Sequence, residues 1–175
     1  MNTKFIITGG PGTGKTSIIN ELKKRGYNCV EENSREVISE QIKTRGKILP
    51  WKNQLEFENK ITFLRAQQFL SIPKNCLCFF DRSVIESVAY LKLSNLKVTS
   101  QIMENIKKCV YNKTVFYTPI WEEIYVNDSE RKENLEQAKK IESALIETYR
   151  SAKYNLIQVP KTTIQKRVNF IISKI

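Results

Sequence analysis

The feature that most constrains this 175-residue chain is a glycine-rich stretch near its beginning. Residues 9–16 read Gly-Gly-Pro-Gly-Thr-Gly-Lys-Thr and fill every position of the pattern G-x-x-x-x-G-K-S/T, whose backbone N–H groups turn inward around phosphate oxygens. An apolar run, residues 5–7, precedes the stretch, and helical periodicity begins at Thr16. The sequence therefore predicts a phosphate site between a strand and a helix N-terminus, where anions are favoured.

Backbone and side chains of this loop have separate predicted roles. Lys15 is predicted to direct its ammonium group at the β- and γ-phosphates of a nucleotide, and Thr16 to offer its hydroxyl to Mg²⁺. We expect contacts to the nucleotide along the whole loop, from Gly10, Pro11, Gly12, Thr13, Gly14, Lys15, Thr16 and Ser17. A chance glycine-rich turn is disfavoured, because a predicted strand and a predicted helix flank the loop.

The composition is that of a globular protein with a hydrophobic core. Hydrophobic residues make up 41% of the chain and charged residues 27%, and the length fits a single domain over residues 1–175. A net charge of +11 is compatible with nucleic-acid binding, but Lys and Arg are spread along the chain rather than clustered. We therefore favour solvated faces and a phosphate site over a nucleic-acid surface, while the sequence leaves the oligomeric state open.

Residue types and patterns that the sequence lacks exclude or disfavour several kinds of catalytic and binding site. The chain has no histidine, which excludes Ser-His-Asp and Cys-His catalysis and leaves a carboxylate as the general base. The cysteines lack C-x-x-C spacing, which disfavours a metal–thiolate site: Cys29, Cys76, Cys78 and Cys109. No apolar stretch approaches membrane-spanning length and only residues 1–4 precede the first predicted strand, so we expect no signal peptide, no membrane partner and a cytoplasmic protein.

Strands and helices are predicted to alternate along the chain. Gly26 is predicted to end the first helix, and Pro50 to begin the third. After the strand that precedes the loop, further strands are predicted at residues 27–30, 76–80, 114–117 and 156–159, with helices between them. This alternation predicts an α/β fold with a parallel five-stranded sheet and helices on both faces.

Polar residues follow several of these strands. The carboxyl ends of parallel strands meet at one edge of a sheet, where ligands bind. This rule brings the loop together with Glu31-Glu32, Asp81-Arg82 and Thr118-Pro119. Asp81 is predicted to hold the Mg²⁺ shell, with a helix N-cap as the alternative. Arg82 either reaches the transferred phosphate or forms a surface ion pair.

Glu31 and Glu32 are the candidates for the general base. Successive residues of a strand point to opposite faces, so only one of the two can face the nucleotide crevice, and the pattern does not decide which. That glutamate is predicted to bind the acceptor and to take the proton from its hydroxyl. Arg35, one helical turn further on, is predicted either to bind substrate in the same cavity or to lie on the surface.

Two further stretches carry a family resemblance. Residues 32–36, Glu-Asn-Ser-Arg-Glu, are similar to a Glu-x-x-Arg-Glu element, and Trp121 with residues 127–131 is similar to a Trp and Asp-x-x-Arg lid segment. On these residues the chain resembles, over nearly its whole length, a family of small AAA-type phosphate-loop ATPases and kinases that includes ribosylnicotinamide kinase domains. Residues 81–83, Asp-Arg-Ser, depart from the ribosylnicotinamide kinase sequence at that strand end and are more similar to the acidic-Arg-Ser or acidic-Arg-Tyr element of deoxynucleoside and thymidylate kinases.

The resemblance implies a phosphate-loop NTPase with the strand order of kinases. It also implies that Glu32 is the better candidate for the base and that Asp81 lies near Mg²⁺. In such a fold the loop after Val159 lies beside the adenine of ATP, which makes Lys161 a nucleotide-binding residue.

A basic lid over the phosphates is predicted at about residues 120–134. The helical stripe of Leu135, Ala138 and Tyr149 extends back to Arg131, which puts a cation at a helix N-terminus, where the macrodipole disfavours it. We predict that Arg131 finds its partner in the transferred phosphate, as a catalytic residue of a closing lid. The alternative is an exposed Arg131 paired with Asp128.

Phosphoryl transfer is the function that these residues predict best. The leading hypothesis is an ATP- and Mg²⁺-dependent kinase whose acceptor is a nucleoside or a nucleotide-like small molecule, because candidates for a base, a metal carboxylate and a basic lid are all present. The alternative is an ATP- or GTP-hydrolysing regulatory ATPase without a small-molecule acceptor. The guanine-specific Asn-Lys-x-Asp motif is missing, since Thr114 and Val115 follow Asn112-Lys113, but the choice between ATP and GTP stays open. A nucleic-acid module is the third alternative, and it predicts steeply salt-dependent binding.

Overall fold

Strands and helices alternate along the part of the chain that the computed structural model describes, residues 3–124 and 134–175. A 3₁₀ turn at Glu122–Ile124 lies between the fourth strand and the sixth helix. In chain order the elements are β1 (Lys4–Thr8), α1 (Lys15–Lys24), β2 (Asn28–Val30), α2 (Ser34–Lys43), α3 (Gln54–Ser71), β3 (Cys78–Asp81), α4 (Glu86–Leu93), α5 (Ser100–Lys108), β4 (Thr114–Tyr117), α6 (Leu135–Ser151), β5 (Asn155–Gln158) and α7 (Ile164–Ile172).

The strands form one parallel sheet in the order β2-β3-β1-β4-β5. At its centre, β1 pairs with β3, where Ile7 lies opposite Asp81, and with β4, where Ile7 lies opposite Phe116. Because parallel neighbours cannot be joined by tight turns, each connection crosses over the sheet, and helices cover it on both sides. The predicted α/β fold with a five-stranded parallel sheet is confirmed.

Alternate residues of the central strand pack against different helices. Phe5 and Ile7 face α1 and α7 in one buried cluster, with Ile18, Ile19, Leu22, Phe79, Phe116, Val168 and Ile171. Ile6 faces the other layer, where α3 and α6 pack with the residues Ala66, Phe69, Phe80, Val115 and Tyr149. Each large apolar side chain buried in this way contributes about 1.5–3 kcal/mol to the free energy of folding. The two packed layers therefore hold the central strands, and the polar residues that follow them, in place.

The start of α3 differs from the sequence prediction. The helix begins at Gln54 rather than at Pro50, and Asn53 is its N-cap, whose side chain accepts a hydrogen bond from the Glu56 N–H at 3.2 Å. Pro50 lies in a turn, because the carbonyl of Leu49 accepts from the N–H groups of Lys52 and Asn53. An asparagine side chain satisfies a free helical N–H, whereas a proline only lacks one, so the cap sets the boundary.

The segment between β4 and α6 is described only in part. Ile120 is held at its start, where its N–H donates to Glu142 at 2.7 Å, and Asn134 forms a capping box with Gln137 at the N-terminus of α6. The predicted lid residue Arg131 lies outside the described residues. Among the helices that are described, none combines the length and the apolar character needed to cross a membrane.

Candidate active site

Three strand ends bring the polar residues of the sequence to the edge of the sheet beside the glycine-rich loop. The Arg82 N–H donates to the Ile7 carbonyl at 3.0 Å, and the Thr118 N–H donates to the Thr8 carbonyl at 2.8 Å. These bonds continue the ladders of β3 and β4 past the ends of the strands. The predicted convergence of the loop, residues 81–82 and residue 118 therefore follows from the pairing of both strands with β1.

The loop has the tight backbone that its glycines allow. Gly14, the N-cap of α1, has φ 84°, a left-handed conformation that strains any residue with a Cβ. Thr13 braces the loop, because its hydroxyl donates to the Gly10 carbonyl at 3.0 Å and lies 2.7 Å from the Thr118 hydroxyl. The first turn of α1 contains no acidic residue, so the positive end of its dipole is not neutralised within the helix.

Lys15 is buried, with 6% of its surface exposed, and is held by its own loop. Its Nζ donates to the carbonyls of Gly9 at 2.9 Å and Gly10 at 2.7 Å. Burial lowers the pKa of Lys15 to about 8, and the neighbouring Arg82 adds to this effect. The ammonium therefore lies in a poorly solvated position, where an anion stabilises it strongly.

The residues predicted for Mg²⁺ lie on two elements of this edge. Thr16 is exposed in the first turn of α1, while Asp81 is buried at the end of β3. Among the described residues Asp81 Oδ1 has no hydrogen-bond partner, and burial raises the pKa of this carboxyl group. An unpaired buried carboxylate oxygen is what a cation site requires, so Asp81 fits the role.

Protein side chains alone do not complete a metal site. In residues 3–124 and 134–175, no three or more Cys, Asp or Glu side chains are arranged to hold a metal ion. Mg²⁺ is ordinarily bound through one or two protein oxygens, with phosphates and water completing its octahedron. A single carboxylate and a threonine hydroxyl are thus enough for a magnesium ion that enters with a nucleotide.

Glu32 lies between two arginines, and this cluster is the electrostatic centre of the site. Its Oε1 atom is 2.9 Å from Arg82 Nε and 3.1 Å from Arg65 Nη2, and it accepts the Ser34 hydroxyl at 2.8 Å. Burial by itself raises the pKa of Glu32, but Arg82, Arg65 and Lys15 outweigh it and hold the pKa at about 2. Glu32 is therefore ionised at neutral pH and fixed in one position.

Arg82 is a buried member of this cluster rather than a surface ion pair. Besides Glu32 it contacts Glu86, where Nη1 lies 2.8 Å from Oε2, and the hydroxyl of Tyr90 at 3.2 Å. Burial disfavours the charged guanidinium, yet these partners, above all Glu32, raise the pKa of Arg82 well above its ordinary range. The predicted alternative, that Arg82 forms a surface ion pair, is wrong, because Arg82 is only 8% exposed.

Glu86 links the cluster back to the central strand. It is fully buried in the first turn of α4, where Oε1 accepts the hydroxyls of Thr8 at 2.6 Å and Tyr149 at 3.0 Å. The Tyr149 hydroxyl also lies 2.7 Å from the Ser83 hydroxyl. Elements β1, α4 and α6 are therefore tied together around Arg82, which orients its guanidinium.

Sequence reasoning missed three buried charged residues: Arg65 and Glu86, which belong to the cluster, and Glu58, whose pKa is raised by burial and lowered in part by the charges of Arg65 and Arg82. Arg65 stands in the apolar stripe of α3, where an arginine requires a partner, and that position was the signal available. Glu86 follows the Asp-Arg-Ser stretch by three residues, but its role depends on Thr8 and Tyr149, which are distant in sequence. Glu58 looks like an ordinary helical glutamate and becomes notable only because it is 3% exposed.

Other residues predicted for the site lie apart from this cluster. Glu31 is exposed and pairs with Lys23, so Glu32 is the glutamate that faces the arginines. Arg35 is exposed on α2, where it lines an open surface groove with Ser39 and Lys43. Ser17 and Lys161 are also exposed, the first in α1 and the second between β5 and α7. Arg131 lies outside the described residues.

A glycine-rich loop between a central parallel strand and a helix, with Lys15 in it and Asp81 beside it, defines a phosphate-loop NTPase fold of the kinase type. The chain belongs to the AAA domain family, whose model matches residues 4–167. The AAA-type phosphate-loop membership predicted from the sequence is confirmed. No curated protein sequence matches the chain.

Solved kinases have the same fold at low sequence identity. Deoxyadenosine kinase from M. mycoides, solved with bound dATP, aligns over 98% of this chain and 98% of its own, with 20% identity and a TM-score of 0.67. Thymidylate kinase from Ehrlichia chaffeensis aligns over 99% and 97%, with 14% identity and a TM-score of 0.64. The thymidylate kinase from Candida albicans aligns over 99% and 90%, also with 14% identity and a TM-score of 0.64.

Proposed function

We propose that the protein transfers a phosphoryl group from ATP, with Mg²⁺, to a nucleoside or nucleotide-like small molecule. The observation that carries this proposal is the position of Glu32, an ionised carboxylate fixed between Arg65 and Arg82 at the same sheet edge as the loop lysine. A positioned carboxylate can orient an acceptor hydroxyl and take its proton, as in protein kinases, and Glu32 offers such a group. The kinase folds among the solved structures support the same class.

The nucleotide would be held by the loop and by the groups around it. Backbone N–H groups of residues 10 and 12–17 and the N-terminus of α1 favour its phosphates, and Lys15 exchanges its bonds to the loop carbonyls for phosphate oxygens. Thr16 and Asp81 are the proposed protein ligands of Mg²⁺, which when bound neutralises charge on the phosphates. Lys161, on the loop after β5, is the proposed neighbour of the adenine ring.

Arg82 and Glu32 are the proposed residues at the transferred group. Arg82 carries a fixed positive charge that can stabilise negative charge on the equatorial oxygens. Glu32 orients the acceptor hydroxyl and receives its proton. With a pKa of about 2, Glu32 is a weak base, and that suits a loose transition state, in which the hydroxyl loses its proton late and positioning contributes most.

Buried polar groups between α3 and α4 are the proposed contacts of the acceptor's ring atoms. Gln54 donates to buried Glu58 at 3.0 Å, and the Thr62 hydroxyl donates to that of Ser87 at 2.7 Å. Tyr90 lies at the end nearest the cluster, since its hydroxyl accepts from Arg82. Burial raises the pKa of Glu58, so this carboxyl group can exchange hydrogen bonds with an amide-like edge of a heterocycle.

An ATP-consumption screen with product detection tests the proposal. Nucleosides, nucleoside monophosphates and ribosylnicotinamide are each offered with ATP and Mg²⁺, beside a reaction without acceptor and a Lys15→Ala enzyme. We expect at least one acceptor to raise ATP consumption about 100-fold over the acceptor-free rate, with a phosphorylated product identified by mass. Consumption that no acceptor changes would favour the regulatory hydrolase instead.

A further inference from the structure

The C-terminal helix α7 places a buried arginine behind the phosphate loop. Arg167 is only 3% exposed, and its Nη2 donates to the carbonyl of Thr13 at 3.0 Å. Its Nη1 would lie 2.8 Å from a Cβ atom on Gly14. Arg167 therefore touches the peptide that joins Thr13 to Gly14, although it is more than 150 residues away in sequence.

The positive charge of Arg167 is poorly compensated within the described part of the chain. None of the ion pairs there includes Arg167, and its Nε has no hydrogen-bond partner. Burial lowers the pKa of Arg167. Arg167 also lies in the first turn of α7, which has no acidic residue, so the helix dipole disfavours the charge further. A buried cation in such surroundings costs free energy that an anion would recover.

The geometry of the trans peptide between Thr13 and Gly14 determines the direction in which the Gly14 N–H points. The carbonyl and the N–H of one peptide unit point in opposite directions, and none of the described peptide bonds is cis. Because the Thr13 carbonyl faces Arg167, the Gly14 N–H points away from α7. A cation on the carbonyl also polarises the peptide, which makes its N–H a stronger donor.

We propose that Arg167 is a positioning residue for nucleotide binding, which acts through the Thr13–Gly14 peptide and supplies part of the positive potential that holds a polyphosphate. This inference rests on the proposed function, since it requires that phosphates bind in the loop. It assigns a role in the site to α7, whose buried apolar residues Val168 and Ile171 make core contacts only. A Cβ on Gly14 would lie 2.8 Å from Arg167 Nη1, so the guanidinium would have to shift from its place beside the Thr13 carbonyl.

The test measures binding of tripolyphosphate with Mg²⁺ by calorimetry, which needs no acceptor and no base contact. Arg167→Met removes the charge and the donors, whereas Arg167→Lys retains the charge. We expect Arg167→Met to weaken binding about 10- to 100-fold, the range for loss of one charge-assisted hydrogen bond, and Arg167→Lys to weaken it several-fold less. The matched control is Val168→Ala, which loosens the same helix from the core without touching the loop.

Thermal unfolding of all variants separates positioning from general loss of stability. The proposal requires that Arg167→Met lose affinity well beyond Val168→Ala when both have lost similar stability. Equal losses would make Arg167 a structural residue, and unchanged affinity would overturn the proposal outright. If Arg167→Met does not fold, Arg167→Gln, which also removes the charge, is compared with Val168→Ala in the same way. Wild-type protein that binds neither tripolyphosphate nor ADP would overturn the proposed function as well.

Discussion

At the scale of the residue, Lys15 shows how the loop depends on charge. Its ammonium is buried and bonded to carbonyls of its own loop, so it is positioned before any phosphate arrives. We predict that Lys15→Ala abolishes turnover and weakens ATP binding about 10- to 100-fold, since charge-assisted bonds to the phosphates are lost in ground and transition states alike. Calorimetric titration with ATP checks this, with exposed Lys24→Ala as the control. Unchanged affinity in a folded Lys15→Ala protein would remove the loop from the nucleotide site.

The neighbouring glutamates Glu31 and Glu32 provide a matched pair of variants. We predict that Glu32→Gln lowers phosphoryl transfer about 10²-fold or more while ATP still binds, because the amide cannot take the proton of the acceptor. Glu31→Gln should change little, since Glu31 lies at the surface with Lys23. Single-turnover rates and ATP affinities of both variants decide between them. A larger loss in Glu31→Gln would reverse the assignment.

Glu58 yields a prediction on stability and pH. Burial raises its pKa above the value in the unfolded chain, although Ser87 and Arg65 act in the opposite direction. At low pH this carboxyl group is neutral in the folded and in the unfolded chain, and it does not affect the free energy of unfolding. As pH rises above about 4.5 the group ionises more readily in the unfolded chain, so it lowers the free energy of unfolding. Glu58→Gln should therefore gain stability over wild type at pH 8 but not at pH 4. Denaturant unfolding at both pH values measures this, and a constant difference would contradict it.

At the scale of the element, variants of Asn53 and Pro50 test where helix α3 begins. Asn53 caps α3 and Pro50 precedes it in a turn. Asn53→Ala should cost about 1 kcal/mol of unfolding free energy, because the Glu56 N–H loses its acceptor. Pro50→Ala should change it by about 0.5–1 kcal/mol at most, through the unfolded chain. Urea unfolding of both variants provides the comparison, and the opposite ranking would favour a helix that begins at Pro50.

The elements that the sequence predicted well are those whose signal is local. The Gly-rich loop and the left-handed Gly26 lie where expected, and the apolar run predicted as a strand at residues 76–80 forms β3 at Cys78–Asp81. Boundaries were less certain, as Pro50 shows. The Arg65–Glu32–Arg82 cluster could not be predicted, because its three members come from different elements and meet only when α3 packs on the sheet. Periodicity identifies the face of a helix but not the partner of a buried charge.

At the scale of the whole molecule, the predicted lid remains to be tested. If Arg131 closes over the phosphates, Arg131→Ala should lower turnover far more than ATP affinity, as expected for a group that acts on charge in the transition state. Arg150→Ala is the control, since Arg150 is an exposed arginine in the last turn of α6. Measurements of kcat and of ATP affinity on both variants decide this, and normal turnover in Arg131→Ala would leave Arg131 a surface residue.

The central place of β1 in the sheet has a consequence for how the protein is made. The loop follows β1, which precedes the other described strands in the chain, yet the neighbours of β1 in the sheet are β3 and β4, which begin at Cys78 and Thr114. Parallel pairings so distant in sequence form slowly, because the long intervening chain must be ordered first. During translation the phosphate loop therefore emerges from the ribosome before β3 and β4 but acquires its geometry only after residue 117 has followed. Nucleotide cannot assist the first stages of folding, and it stabilises the chain only once the sheet has closed around β1.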